Sequence, residues 1–127
     1  MIVGRVLATG EAVIDITVRG PSGQKAREDA MVDTGFSDHL TLPGWVIEKL
    51  GLPLKGEESY VLGDGVRQGT RIYRGEIEWE GGWREVMIVE LEHDALFGAG
   101  AMMGCNLNID LIEGGRVEIK PLTSGNV

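Results

Sequence analysis

Cysteine is almost missing from this sequence: Cys105 is the single one among 127 residues. No disulfide can form within the chain, and a lone cysteine cannot anchor a four-ligand metal site, so the fold must rest on its hydrophobic core with Cys105 as an apolar filler. Long apolar runs are missing as well. Nothing approaches the roughly 18 uninterrupted apolar residues of a membrane helix, and the N-terminus, MIVGRVLATGEAV, lacks the zones of a signal peptide. The expectation is a cytoplasmic protein without a membrane partner. Basic residues are the minority, 12 Lys and Arg against 20 Asp and Glu for a net charge of −8, and they form no stripe. Nucleic acid is therefore not expected as a partner. The two histidines, His39 and His93, are neither four residues apart on a helix nor grouped with Cys105, so no metal site is expected. Aromatic residues make up 6% of the chain, and Trp79 and Trp83 read as packing residues. No repeat, low-complexity tract or linker interrupts the sequence, which implies one domain over residues 1–122 and a loose tail over 123–127.

What the chain has in quantity is glycine, 20 residues, recurring between short apolar runs of period two. That is the pattern of many strands joined by tight turns. In residues 11–18, Ala12, Ile14, Ile16 and Val18 share one face while Asp15 and Thr17 take the other, and the Gly20-Pro21-Ser22-Gly23 segment turns the chain. A strand through Ala30-Met31-Val32 delivers Asp33-Thr34-Gly35, and a short apolar piece over 40–42 follows. Pro43 suits the first position of a helix carrying Val46, Ile47 and Leu50, with Gly51 just past its end. Strand-like runs over 59–62 and 70–79 flank Gly63-Asp64-Gly65 as a hairpin. A second hairpin, with a Gly81-Gly82 loop, leads into a strand over 86–89. Residues 106–112 and 116–119 read as a last hairpin around Glu113-Gly114-Gly115. The fold class expected is mostly β with one or two short helices.

Asp-Thr-Gly alone is a weak match that an ordinary turn explains. Here it follows an apolar strand, precedes Ser37-Asp38-His39-Leu40-Thr41-Leu42-Pro43, and is matched about sixty residues later by Leu96-Phe97-Gly98. That ordered constellation resembles the retropepsin-like aspartic proteases and their cellular and bacterial relatives, over about residues 2–122.

The resemblance implies a closed acid-protease barrel that works as a two-fold symmetric homodimer. Asp33 would be catalytic, with Thr34 and Gly35 supporting the active-site turn. Phe36, Ser37, Leu96, Phe97 and Gly98 would line the substrate cleft, and Leu62, Gly63, Asp64, Gly65 and Val66 would form a flap over it. The stretch over 103–108 resembles the viral C-terminal strand, part of the strands that build the family's dimer. One carboxylate cannot both take a proton from water and give one to a leaving amine, whereas two carboxyls sharing one proton can. The 127 residues hold one Asp-Thr-Gly and no Asp-Ser-Gly, so that chemistry needs two chains. The implied function is a homodimeric aspartic endopeptidase acting on an extended peptide or protein, without metal or cofactor.

Two positions depart from the viral pattern. Phe36 stands where a small residue faces the substrate, so that its ring would narrow the cleft. Ala99 and Ser37 stand where an arginine and an aspartate pair. These departures motivate an alternative, a weakly active or inactive dimer that binds an extended segment by strand addition. A barrel with a chance Asp-Thr-Gly turn is a third reading. The Gly98-Ala99-Gly100-Ala101-Met102-Met103-Gly104 run is a loose dinucleotide fingerprint, set aside because no helix and parallel strand are expected after it.

Overall fold

A computed structural model describes residues 1–61 and 65–122. The alternating apolar runs become β1 (Ile2–Val6), β2 (Ala12–Arg19), β3 (Lys25–Asp33), β4 (Leu40–Leu42), β5 (Leu54–Val61), β6 (Arg67–Trp79), β7 (Gly82–Glu90), β8 (Leu96–Gly98), β9 (Cys105–Ile109) and β10 (Arg116–Pro121). Two short helices interrupt them, α1 (Gly44–Leu50) and α2 (Ala99–Met102). The strands hydrogen-bond in the order β5-β6-β7-β4-β8-β3-β2-β1-β10-β9, and β6 also pairs with β2 through Val18 and Ile77. That second pairing closes β2, β3, β8, β4, β7 and β6 into a six-stranded barrel and leaves β1, β10 and β9 as a flank continuing from β2.

The inward face of each strand fills the barrel. Ile14, Ile16 and Val18 of β2, Leu40 and Leu42 of β4, Val86 and Ile88 of β7 and Phe97 of β8 are all buried. Burying a side chain of this size contributes about 1.5–3 kcal/mol. Val46, Ile47 and Leu50 bury one face of α1 against this core, and Gly51 ends the helix in the left-handed region at φ 61°. Pro43 sits one position earlier than expected. It is the extended residue before the helix, with ψ at 152°, and its carbonyl accepts the amides of Val46 and Ile47.

The β6–β7 turn also differs from expectation. Trp79 pairs with Gly82, and the loop is Glu80-Gly81, both at positive φ (49° and 79°). Moving the loop by one residue changes each cross-strand partner by two and keeps the same side chains facing inward. Hydrophobic alternation therefore cannot choose between the two registers. In the observed one, Glu80 pairs with the N-terminal ammonium of Met1.

The last hairpin is shorter on its first side than residues 106–112 suggest. β9 stops at Ile109 because the chain doubles back, with the Ile112 amide donating to Asp110 and the Gly115 amide to Ile112. Gly115 is required there, since a β-carbon would lie 1.8 Å from the Asp110 carbonyl oxygen. Leu111 and Ile112 are left 73% and 69% exposed. Cys105 is half-buried rather than fully enclosed. Residues 123–127, read from the sequence as a loose tail, lie outside the described residues.

Candidate active site

β3 runs its alternation out to Asp33 and there meets β8 in parallel register, Val32 opposite Phe97 and Asp33 opposite Gly98. β8 is held on its other side by β4, through Leu40 opposite Phe97, and β4 runs parallel to β7. The Asp33 turn is thus wedged between strands close to one another in space but some sixty residues apart in sequence. Phe97, fully buried, anchors the middle of the wedge.

Main-chain bonds fasten the turn. The Phe36 amide donates to the Asp33 carbonyl at 3.2 Å, the Gly98 amide to the His39 carbonyl at 2.8 Å, and the Ala99 amide to the Phe36 carbonyl at 2.7 Å. The Gly35 amide donates to Oδ1 of the Asp33 carboxylate at 2.9 Å. Asp33 is half-buried, while Thr34, Gly35 and Ser37 are exposed beside it. Among the described residues Asp33 has no salt-bridge partner. A carboxylate fixed through one oxygen, without a cation, and open to solvent on the turn can take and return a proton.

The structure brings Asp33, Gly35, Phe36 and Gly98 together, with Leu96 and Phe97 on the adjoining strand. A β-carbon on Gly98 would lie 2.5 Å from Cδ2 of Phe36, so the half-buried ring packs over the Gly98 backbone. Gly65, at φ 84°, and Val66 stand at the far end of the β5–β6 hairpin and are exposed. Leu62, Gly63 and Asp64 lie outside the described residues. A groove of about 960 Å³ does not include Asp33. It runs between Trp45, the middle of the β5–β6 hairpin and residues 90–94.

Sequence reading missed Thr41. It is 2% exposed, its hydroxyl donates to the Asp94 carbonyl at 2.8 Å, and the same oxygen accepts the Leu96 amide at 2.8 Å. This side chain ties β4 to the entry of β8 and so sets where Gly98 meets Asp33. The available signal was a lone hydroxyl between two leucines, in a strand too short to have a solvent face. A Thr41→Val variant keeps the shape and strands both partners. It is expected to lose about 2–3 kcal/mol of stability, measured by denaturant unfolding.

His39 carries a pH dependence. Its Nδ1 accepts the Met87 amide at 2.9 Å, which requires an unprotonated nitrogen. Burial, and next the charge of Arg84, push its pKa below the ordinary histidine value, against a smaller opposing pull from Asp38. The unfolded chain then binds the proton more readily than the folded one. Stability from this contact is complete above about pH 6.5 and is lost as pH falls through the lower folded-state value. The thermal midpoint is expected to fall as the pH is lowered below about 6.5, and a His39→Gln variant to show a flatter profile there.

Among the described residues no three His, Cys, Asp or Glu side chains converge as metal ligands. No family model, curated protein or solved structure matches this chain. The class that the fold itself defines is a mostly-β protein with a closed six-stranded barrel and two short helices.

Proposed function

We propose that this protein is a retropepsin-like aspartic endopeptidase that acts as a homodimer. The observation that carries the reading is the placement of Asp33 at the end of β3, in register with Gly98 of a parallel strand and held through one carboxylate oxygen by the Gly35 amide. In the dimer two Asp33 carboxyls share one proton across a two-fold axis. The ionised one removes a proton from a water molecule, and that water attacks the carbonyl of the scissile peptide bond. The protonated one polarises the same carbonyl and then supplies the proton the departing amine needs. Thr34 and Gly35 hold the two turns in place, and the β5–β6 hairpin covers an extended substrate as a flap. The Phe36 ring, packed over Gly98, belongs to the support of the turn.

Incubation with a peptide library between about pH 3 and pH 8 tests the proposal, cleavage being read by mass spectrometry. Internal peptide bonds should be hydrolysed, and a statine-type mimic of the tetrahedral intermediate should block the reaction. A library left intact across the whole range overturns the reading.

A further inference from the structure

Trp45 is 65% exposed on α1, unlike the other two tryptophans. Trp79 and Trp83 are half-buried, and each ring already lies under a cation. Arg84 stands 4.9 Å from the Trp79 ring, and Arg19 and Lys25 stand 4.2 Å and 5.3 Å from that of Trp83. Among the described residues no cation lies over Trp45. An indole left in water forgoes the burial that makes tryptophan a frequent anchor of interfaces.

Trp45 stands where two grooves meet. The groove of about 960 Å³ and a second of about 360 Å³ share Pro43, Trp45, Glu92, His93 and Asp94, so together they form one trough. One arm reaches Thr70 and Arg71 in the β5–β6 hairpin, and the other reaches Leu7 and Met31. Apolar surface along it comes from Pro43, Trp45 and Leu91, the last 42% exposed.

Carboxylates border this surface with few cations to meet them. Glu57, Glu90, Glu92 and Asp94 line the first arm against one arginine, Arg71, and among the described residues none of the four takes part in a salt bridge. Glu90 is held in place: its Oε1 accepts the Tyr73 hydroxyl at 3.1 Å, and its Oε2 lies 3.3 Å from where a β-carbon on Gly44 would sit, next in sequence to Trp45. The second arm adds Glu11, Glu28 and Asp29 against Arg5, which already pairs with Asp29 at 3.4 Å.

An open aromatic face, apolar walls and a surplus of carboxylates complement arginine. Its aliphatic stem covers apolar surface, its guanidinium stacks on an indole, and its N–H fork meets a carboxylate. Nucleic acid carries the wrong charge for this trough. Its two arms take several residues of an extended chain at about 3.3–3.6 Å each, which a single cation would leave mostly empty. We propose that the trough binds an extended, arginine-containing segment of a partner protein, with one guanidinium over the Trp45 ring beside Glu90. The inference does not rest on the protease reading, since residues 33–35 line neither arm.

Fluorescence anisotropy with labelled nine-residue peptides tests it, in Asp33→Asn protein so that no probe is cleaved. A peptide with three arginines in a glycine and serine background is expected to bind, its lysine counterpart more weakly, and its glutamine counterpart at least about 10-fold more weakly. Trp45→Ala should weaken the arginine peptide about 10-fold and Trp45→Phe less, with the fold checked by circular dichroism. Glu92→Gln should weaken it about 3-fold and reduce its salt dependence. Glu78→Gln removes the same charge eight residues along β6 from Thr70, roughly 26 Å of strand, and should leave affinity unchanged. Equal affinity for the arginine and glutamine peptides, or arginine binding indifferent to both Trp45 variants, overturns the inference. Displacement by spermine at no higher concentration than by unlabelled arginine peptide would also overturn it, by showing that a small cation suffices. A peptide bound at Trp45 but left intact by the wild-type chain would count against the protease reading alone.

Discussion

Asp33→Asn is expected to abolish peptide cleavage while leaving the fold and the dimer intact. The amide oxygen of asparagine can still accept the Gly35 amide, the bond that fixes the side chain in the turn. The change is close to isosteric at a half-buried site without a salt-bridge partner, so stability should move by less than about 1 kcal/mol. An amide cannot take a proton from water or share one with a facing carboxyl. Because the pair acts as a unit, the loss should be about 10⁴-fold in kcat rather than half.

Mixing sharpens the expectation. If wild-type and Asp33→Asn chains exchange freely at equal concentration, about one quarter of the dimers keep two carboxylates. Activity per wild-type chain should then fall to about half, because half of the wild-type chains sit in mixed dimers. Full activity per wild-type chain after exchange would mean that one carboxylate suffices, and the two-chain mechanism would fail. Undiminished cleavage by the pure variant would remove Asp33 from the chemistry altogether.

The strands were legible in the sequence because period-two alternation is a local property. Ile14, Ile16 and Val18 announce the inner face of β2 without reference to any other strand. α1 was legible for the same reason, through the spacing of Val46, Ile47 and Leu50 and the stop at Gly51. Where one strand meets another is a long-range property. The loop at Glu80-Gly81 could not be told from one at Gly81-Gly82, because both registers keep the same faces inward. The role of Thr41 depends on two partners more than fifty residues away in sequence, Asp94 and Leu96. The hydrogen bond between Met87 of β7 and His39, just before β4, likewise joins segments that no local pattern relates. At the site, Asp33-Thr34-Gly35 and Leu96-Phe97-Gly98 could be picked out as two elements of one pattern. What the sequence left open was how they meet, in parallel register with Asp33 beside Gly98.

That meeting point makes Gly98→Ala a damaging change despite its small size. Gly98 has φ −91° and ψ 171°, a conformation open to any residue, so glycine is not needed there for backbone freedom. The reason is space. A β-carbon would lie 2.1 Å from the Asp38 carbonyl oxygen, 2.7 Å from that of Phe36 and 2.5 Å from the Phe36 ring. Two of the three obstacles are backbone, and both belong to the segment that carries Asp33. The ring can rotate away. The carbonyls can retreat only if β8 separates from the turn, which strains the bonds from Gly98 to His39 and from Ala99 to Phe36. The expected cost is about 4 kcal/mol or more, above the usual range for overpacking because the overlap is with main chain. Phe36→Ala in the same chain should recover a minor part of it, since the ring is one obstacle of three. Chemical denaturation of the single and double variants measures both quantities, and recovery of most of the loss would show that the ring, not the crossing of β8 over the turn, sets the need for glycine. In protein that still folds, cleavage should fall further than stability alone explains, because any retreat of the turn moves Asp33, and a displacement of about 1 Å at a reacting group is enough to cost about 100-fold.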